Sequence, residues 1–153
     1  VKYEPKRLFS VDEANRMLPL VRRIVEDIVR TYRSLTERFQ HMERLWPDNK
    51  AALDTAHREE LEAVRAELER EEEALSGFVQ ELTDLGVELK GADDGLVDFP
   101  SMRDGRIVYL CWKVGESEIA WWHELDAGFR GRQPLARREP SKLVPSAGAT
   151  GRE

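Results

Sequence analysis

The stretch ELTDLGVELK, residues 81–90, changes character at one glycine. Up to Gly86 the apolar residues Leu75, Phe78, Leu82 and Leu85 recur three and four apart, the spacing of one helical face; beyond it the chain breaks into short strand-like runs. Glycine ends helices readily because it enters the left-handed backbone region without penalty, so Gly86 reads as a helix stop. Helices before it and strands after it predict an α+β fold.

Working back from Gly86, His57, Leu61, Val64, Leu68, Glu71, Leu75, Phe78, Leu82 and Leu85 keep a heptad register. An earlier run does the same: Ala14, Leu18, Val21, Val25, Ile28, Tyr32, Leu35, Phe39, Met42 and Trp46. Ser10-Val11-Asp12-Glu13 forms a capping box at its start. Pro47-Asp48-Asn49-Lys50 breaks the first helix and offers Asp48 or Asn49 as the cap of the second. Two helices joined so tightly must run antiparallel, giving a long hairpin over residues 10–86. At about 1.5 Å per residue, a helix of about 35 residues spans roughly 50 Å. Pro19 falls inside the first run and is expected to kink or split it.

Met17, Ile24, Val29 and Leu45 widen the apolar stripe of the first helix beyond what one partner helix covers, which predicts a further contact with the sheet, a second copy or another protein. Glu71 and His57 interrupt the second seam; Glu71 is read as leaning to solvent or fixing register, and His57 as lying near the wet tip.

Four strands are predicted after Gly86: 87–90, 96–102, 106–113 and 118–125. Asp104-Gly105 signals a two-residue type I′ hairpin, which sets Arg103 opposite Arg106, Phe99 opposite Leu110 and Asp98 opposite Cys111. Gly115-Glu116 reads as a type II′ turn, setting Trp112 opposite Ile119 and Leu110 opposite Trp121. Both faces of the resulting sheet, residues 87–129, are apolar, so dimerisation through helix or sheet is expected. In this register His123 points away from Asp98 and Glu124. A three-residue loop would bring His123 to the Asp98 face. With the two-residue loop, His123 and Asp126 remain as a hydrogen-bonded pair at the sheet edge, and as the metal ligands this region would offer.

Composition bounds the rest. The chain has 153 residues, 41% hydrophobic and 35% charged, with net charge −6, which suits one globular domain over 1–135. The first 129 residues carry −10 and the remainder +4, so nucleic acid is not an expected partner. Residues 136–153, rich in Pro, Ser, Gly and Ala, read as a disordered tail. No run has the length of a membrane span and the opening VKYEPKRLFSVDE lacks a signal-peptide core, so a cytoplasmic, non-membrane protein is expected. The single cysteine, Cys111, allows no intramolecular disulfide and no Cys-based zinc cluster, and its apolar neighbours predict burial.

The residues FSVDEANRMLP (9–19), GVELK (86–90), GLVDFP (95–100), YLCW (109–112) and WHELDAGF (122–129) with GRQPL (131–135) resemble a bacterial family known as domain of unknown function 2203, over residues 8–135. The resemblance implies a small protein with a long helical part and a small β part, and it brings no assigned activity. It directs attention to Asp98, Trp112, Trp122, His123, Glu124, Asp126 and Arg132 as candidate ligand-binding positions. Two functional readings follow. The first is a non-enzymatic interaction or assembly protein, a homodimer with a surface for a protein partner on its helical arm. The second is a small-ligand or metal-dependent enzyme with a site at the sheet edge, walled by Trp112, Trp121 and Trp122 and furnished by His123, Glu124 and Asp126. The sequence requires no cofactor; the second reading admits a divalent metal.

Overall fold

A computed structural model describes residues 2–45 and 54–136. Helix α1 (Val11–Leu45) and helix α2 (Thr55–Asp84) form the hairpin, and five strands follow. These are β1 (Glu88–Gly91), β2 (Leu96–Arg103), β3 (Arg106–Lys113), β4 (Trp121–His123) and β5 (Gln133–Pro134), in one antiparallel sheet of order β1-β2-β3-β4-β5.

Both ends of the hairpin are built as their sequences dictate. Ser10 Oγ accepts the Glu13 amide at 3.1 Å, the first half of a capping box, while the Glu13 carboxylate meets Arg7. At the far end Gly86 takes φ +86°, its amide donates to the Thr83 carbonyl and the Val87 amide to the Leu82 carbonyl. That pair of bonds is a Schellman stop, sealed by buried Leu82 and Val87. The cap of α2 is Asp54, whose carboxylate accepts the His57 amide at 2.9 Å. The expected caps Asp48 and Asn49 lie outside the described residues, and the helix begins later than either would place it. Pro19 neither ends nor splits α1, which runs unbroken through it. Its ring lies on the exposed side of the helix.

Cross-pairs fix the antiparallel sense of the hairpin. Arg38 pairs with Glu67 and Glu71, and Ser34 Oγ donates to Glu71 Oε1 at 2.9 Å. Glu71 is thus a cross-hairpin register pin. His57 is exposed and ion-paired with Asp54.

One core joins the halves. Leu18, Val21, Ile24, Val25, Ile28 and Val29 of α1 and Leu82 of α2 pack on the inner face of the sheet, against Val97, Phe99, Val108, Leu110, Trp112 and Trp122. The extra width of the α1 stripe, Ile24 and Val29 with partly buried Met17, is therefore taken up by the chain's own sheet.

The β2–β3 register is the expected one, from Leu96↔Lys113 through Asp98↔Cys111 and Phe99↔Leu110 to Arg103↔Arg106. Asp104 at φ 51° and Gly105 at φ 77° make the type I′ turn. The next hairpin differs. Strand β4 pairs Tyr109↔His123, Leu110↔Trp122 and Cys111↔Trp121, one residue away from the expected pairing. The turn spans Lys113–Glu116, closed by the Glu116 amide on the Lys113 carbonyl at 3.0 Å, and Gly115, at φ 102°, is its third residue rather than its first central one. Beyond it the chain is drawn off the ladder: the Ile119 amide bonds to Asn15 Oδ1 on α1 at 2.8 Å. The shift turns His123 to the Asp98 face. The predicted fourth strand is shortened to Trp121–His123, and β5, which the sequence reading did not contain, follows a 3₁₀ turn at Phe129–Gly131.

Candidate functional site

The outer face of the sheet carries a polar cluster under cover. Strand β2 supplies Asp98, β3 supplies Tyr109 and Cys111, and β4 supplies His123, brought together by the two registers. Asp98, Cys111 and His123 are 2%, 1% and 2% exposed. His123 Nε2 lies 3.0 Å from Asp98 Oδ1, and its Nδ1 lies 2.7 Å from the main-chain oxygen of Glu124. A carbonyl oxygen only accepts, so Nδ1 carries a proton. A second proton must then lie between Nε2 and Oδ1, because two bare acceptors would repel there. The pair is either a carboxylic acid donating to a neutral ring or a carboxylate accepting from an imidazolium, and both forms are neutral overall. Burial pushes the Asp98 carboxyl above its ordinary range, with the charge and hydrogen bond of His123 working against it. Burial, followed by the neighbouring Asp98, pushes the Cys111 thiol up to about 12, so it is protonated at neutral pH.

Around the cluster most polar groups are partnered, the buried Nε of Arg132 being an exception. The Tyr109 ring is 5.4 Å from the His123 ring, and its hydroxyl donates to Glu88 Oε1 at 3.0 Å. Lys90 and Tyr3 also donate to Glu88, and these bonds hold its carboxyl below the usual range although its partial burial acts the other way. Residues 124–132 fold back as the lid of this face. Arg132 fastens it: its guanidinium donates to the Cys111 carbonyl at 3.2 Å, pairs with Glu116, and lies over the rings of Trp121 and Phe129 at 5.2 and 4.7 Å. Beside the cluster is a cavity of about 230 Å³ that touches Asp98 and His123 and is walled by Lys90, Tyr109, Asp126 and Phe129.

The candidate residues separate accordingly. Asp98 and His123 meet, contrary to the opposite-face expectation. Asp126 is exposed in the following turn and lines the cavity, but the carboxylate bonded to His123 is that of Asp98. Glu124 contributes its carbonyl; its side chain grips Arg106, which holds that carboxyl below the usual range. Trp112 and Trp122 are in the inner core and wall no outer pocket, whereas Trp121 is on the outer face under Arg132. Arg132 is a strap rather than a free ligand-binding group. The sequence reading missed Cys111 and Tyr109 as members of the site. A signal for Cys111 was present, because the Asp104-Gly105 turn already placed it opposite Asp98. The ligand atoms of Asp98, Cys111 and His123 all lie within 4.8 Å of one another, which makes these three, among the described residues, a group able to hold a metal ion.

A second region bears on function. Past Arg30, no residue of α1 whose side chain is described is buried, although the heptad continues. Tyr32 and Phe39, seven residues apart on the seam, are 38% and 51% exposed, whereas Val25 and Ile28 on the same seam are at 0%. The two strands of this distal arm also differ in charge. Residues 31–45 have three arginines and two glutamates, while residues 55–76 have three arginines and eight glutamates.

Among known proteins, the family model described as an uncharacterized conserved protein, DUF2203, matches residues 7–135, and the chain belongs to that family. No curated protein and no solved structure matches it.

Proposed function

We propose that this DUF2203 chain is a non-enzymatic assembly protein that pairs with a second copy of itself through the distal half of its helical arm. The observation that carries the reading is the opening of the heptad seam at Tyr32 and Phe39, large apolar side chains left half uncovered by α2. A second copy suits this surface by charge. When two arms lie side by side and antiparallel, the arginine-bearing face of α1 meets the glutamate-rich face of α2 from the other copy, and the four helices close over both seams. The sheet contributes less to this reading than its two apolar faces suggested, because the helices cover one face and residues 124–132 the other. A cytoplasmic setting belongs to the same reading: no helix among the described residues is long and apolar enough to cross a membrane, and a lone buried thiol such as Cys111 suits a reducing compartment.

Light scattering across the micromolar range tests it. The expected result is a mass of twice 17.7 kDa that falls towards 17.7 kDa in a Tyr32→Glu/Phe39→Glu variant and on adding salt. A parent chain that stays at 17.7 kDa throughout would overturn the pairing.

A further inference from the structure

We propose that Asp98, Cys111 and His123 bind a divalent cation of the zinc class, with the fourth coordination position open to the cavity that Asp126 lines. This inference is independent of the arm pairing, and either can fail alone.

Three observations carry it. First, a carboxylate, a thiol and an imidazole from three adjacent strands converge within 4.8 Å while all three are buried. With metal–ligand bonds of about 2.0–2.3 Å, tetrahedral donor atoms stand roughly 3.3–3.6 Å apart. The Nε2–Oδ1 distance of 3.0 Å therefore needs to open by only a few tenths of an ångström. Second, the ring of His123 is already set as a ligand. Its Nδ1–H is held by the Glu124 carbonyl at 2.7 Å, which aims the Nε2 lone pair into the cluster. A backbone carbonyl on the far ring nitrogen is the usual outer support of a metal-bound histidine. Third, the charges of the donors match the ion: a dication held by the Asp98 carboxylate, the Cys111 thiolate and the uncharged His123 ring would form a neutral assembly, so no net charge would be added to a dry site.

The donor set selects the ion. Magnesium and calcium take oxygen ligands, whereas a thiolate with an imidazole and a carboxylate favours zinc and its borderline-soft neighbours. Three protein ligands with an accessible fourth place are the pattern of a site that binds water or a small ligand at the metal, since structural zinc sites are closed by four.

Cobalt(II) is the probe, added to chelator-stripped full-length protein. One equivalent should produce visible d–d bands and a near-ultraviolet thiolate-to-cobalt charge-transfer band, both removed by equimolar zinc. Cys111→Ser should abolish the charge-transfer band and weaken binding by more than the roughly 10–100-fold that loss of an outer support costs. His41→Ala/His57→Ala, which removes exposed histidines of the arm, should change neither. A folded parent that shows no charge-transfer band would overturn the site, whatever the folding of the Cys111 variant. So would cobalt binding that survives Cys111→Ser and disappears with His41 and His57.

Discussion

Along α1 the seam residues Val21, Val25 and Ile28 are fully buried, yet Tyr32 and Phe39, continuing the same heptad, are 38% and 51% exposed. The proximal residues meet both α2 and the sheet; the distal ones have α2 alone among the described residues. An uninterrupted pattern thus states which face of a helix is apolar without stating how many neighbours will cover it. The base of the hairpin is a packed three-element core. The arm beyond it is held by a narrow seam and by cross-pairs such as Arg38 with Glu67 and Glu71, which are exposed enough to contribute little each.

If that contrast is sound, deletions at the base should be global and deletions on the arm local. Phe99 is fully buried, edge-on to Phe9 at 5.3 Å, so Phe99→Ala should destabilise the chain by about 3–5 kcal/mol in chemical denaturation. A loss under about 1 kcal/mol would mean the base is not the cooperative unit. His123→Ala, measured on metal-free protein, leaves Asp98 and the Glu124 carbonyl without their partner and should lower stability by about 1–3 kcal/mol. A thermal melt equal to or above the parent would instead mark the pair as strained. Phe39→Ser should alter monomer stability by no more than about 0.5 kcal/mol, because half of that ring is already in water. A larger drop at concentrations where the chain is monomeric would show the distal seam to be closed.

The smallest effect belongs to the first turn of α2. Asp54 lies below its ordinary value of 3.8 because of its bonds to His57, and His57 lies above 6.5 because of Asp54, with Glu60 adding to the same direction. The carboxylate's contribution is present above the unfolded Asp value and is lost as pH falls through the folded one. The imidazolium's contribution is present below the unfolded His value and is lost as pH rises through the folded one. Amide exchange at residues 55–60 should therefore be slower, after correction for intrinsic rates, near pH 5.5 than near pH 8.5, by about twofold at most. Asp54→Ala should remove the difference while leaving protection at the base unchanged.

How far the sequence disclosed all this varies with the local device. The start of α1, the Gly86 stop and the β2–β3 register were legible because each rests on one residue type with one conformational habit, as Asp104-Gly105 shows, whereas the start of α2 at Asp54 was not. The β3–β4 register was not. Gly115 suits either of two turns, and the choice is made by a side chain far away: Asn15 takes the Ile119 amide while Glu116 takes the Lys113 amide and Arg132. A one-residue difference there decides whether His123 faces Asp98 or turns its back on it. The site was therefore only half legible: Asp98 and His123 were in view, Cys111 and Tyr109 were not, and the meeting of these residues depended on a contact between distant parts of the chain. Covering of the outer face by residues 124–132 escaped notice for the same reason, since a strap such as Arg132 has no periodicity to read.

The Phe9 amide donates to the Pro100 carbonyl at 2.7 Å, and Ser101 Oγ donates to the Phe9 carbonyl at 2.6 Å, across 92 residues of chain. Such a join is entropically distant in the unfolded state, where closing a loop of n residues costs on the order of (3/2)RT ln n plus a constant. The hairpin alters the path. Once α1 and α2 lie together, the two ends of the excursion are neighbours: a Cβ placed on Gly86 would stand 2.9 Å from that of Arg7 and within 3.6 Å of the Phe9 ring. From there the remaining separation to the sheet is a few strands rather than most of the chain. The contact order of the sheet's anchorage is low in effect though high in sequence, and the helical hairpin is the element whose early formation makes it so.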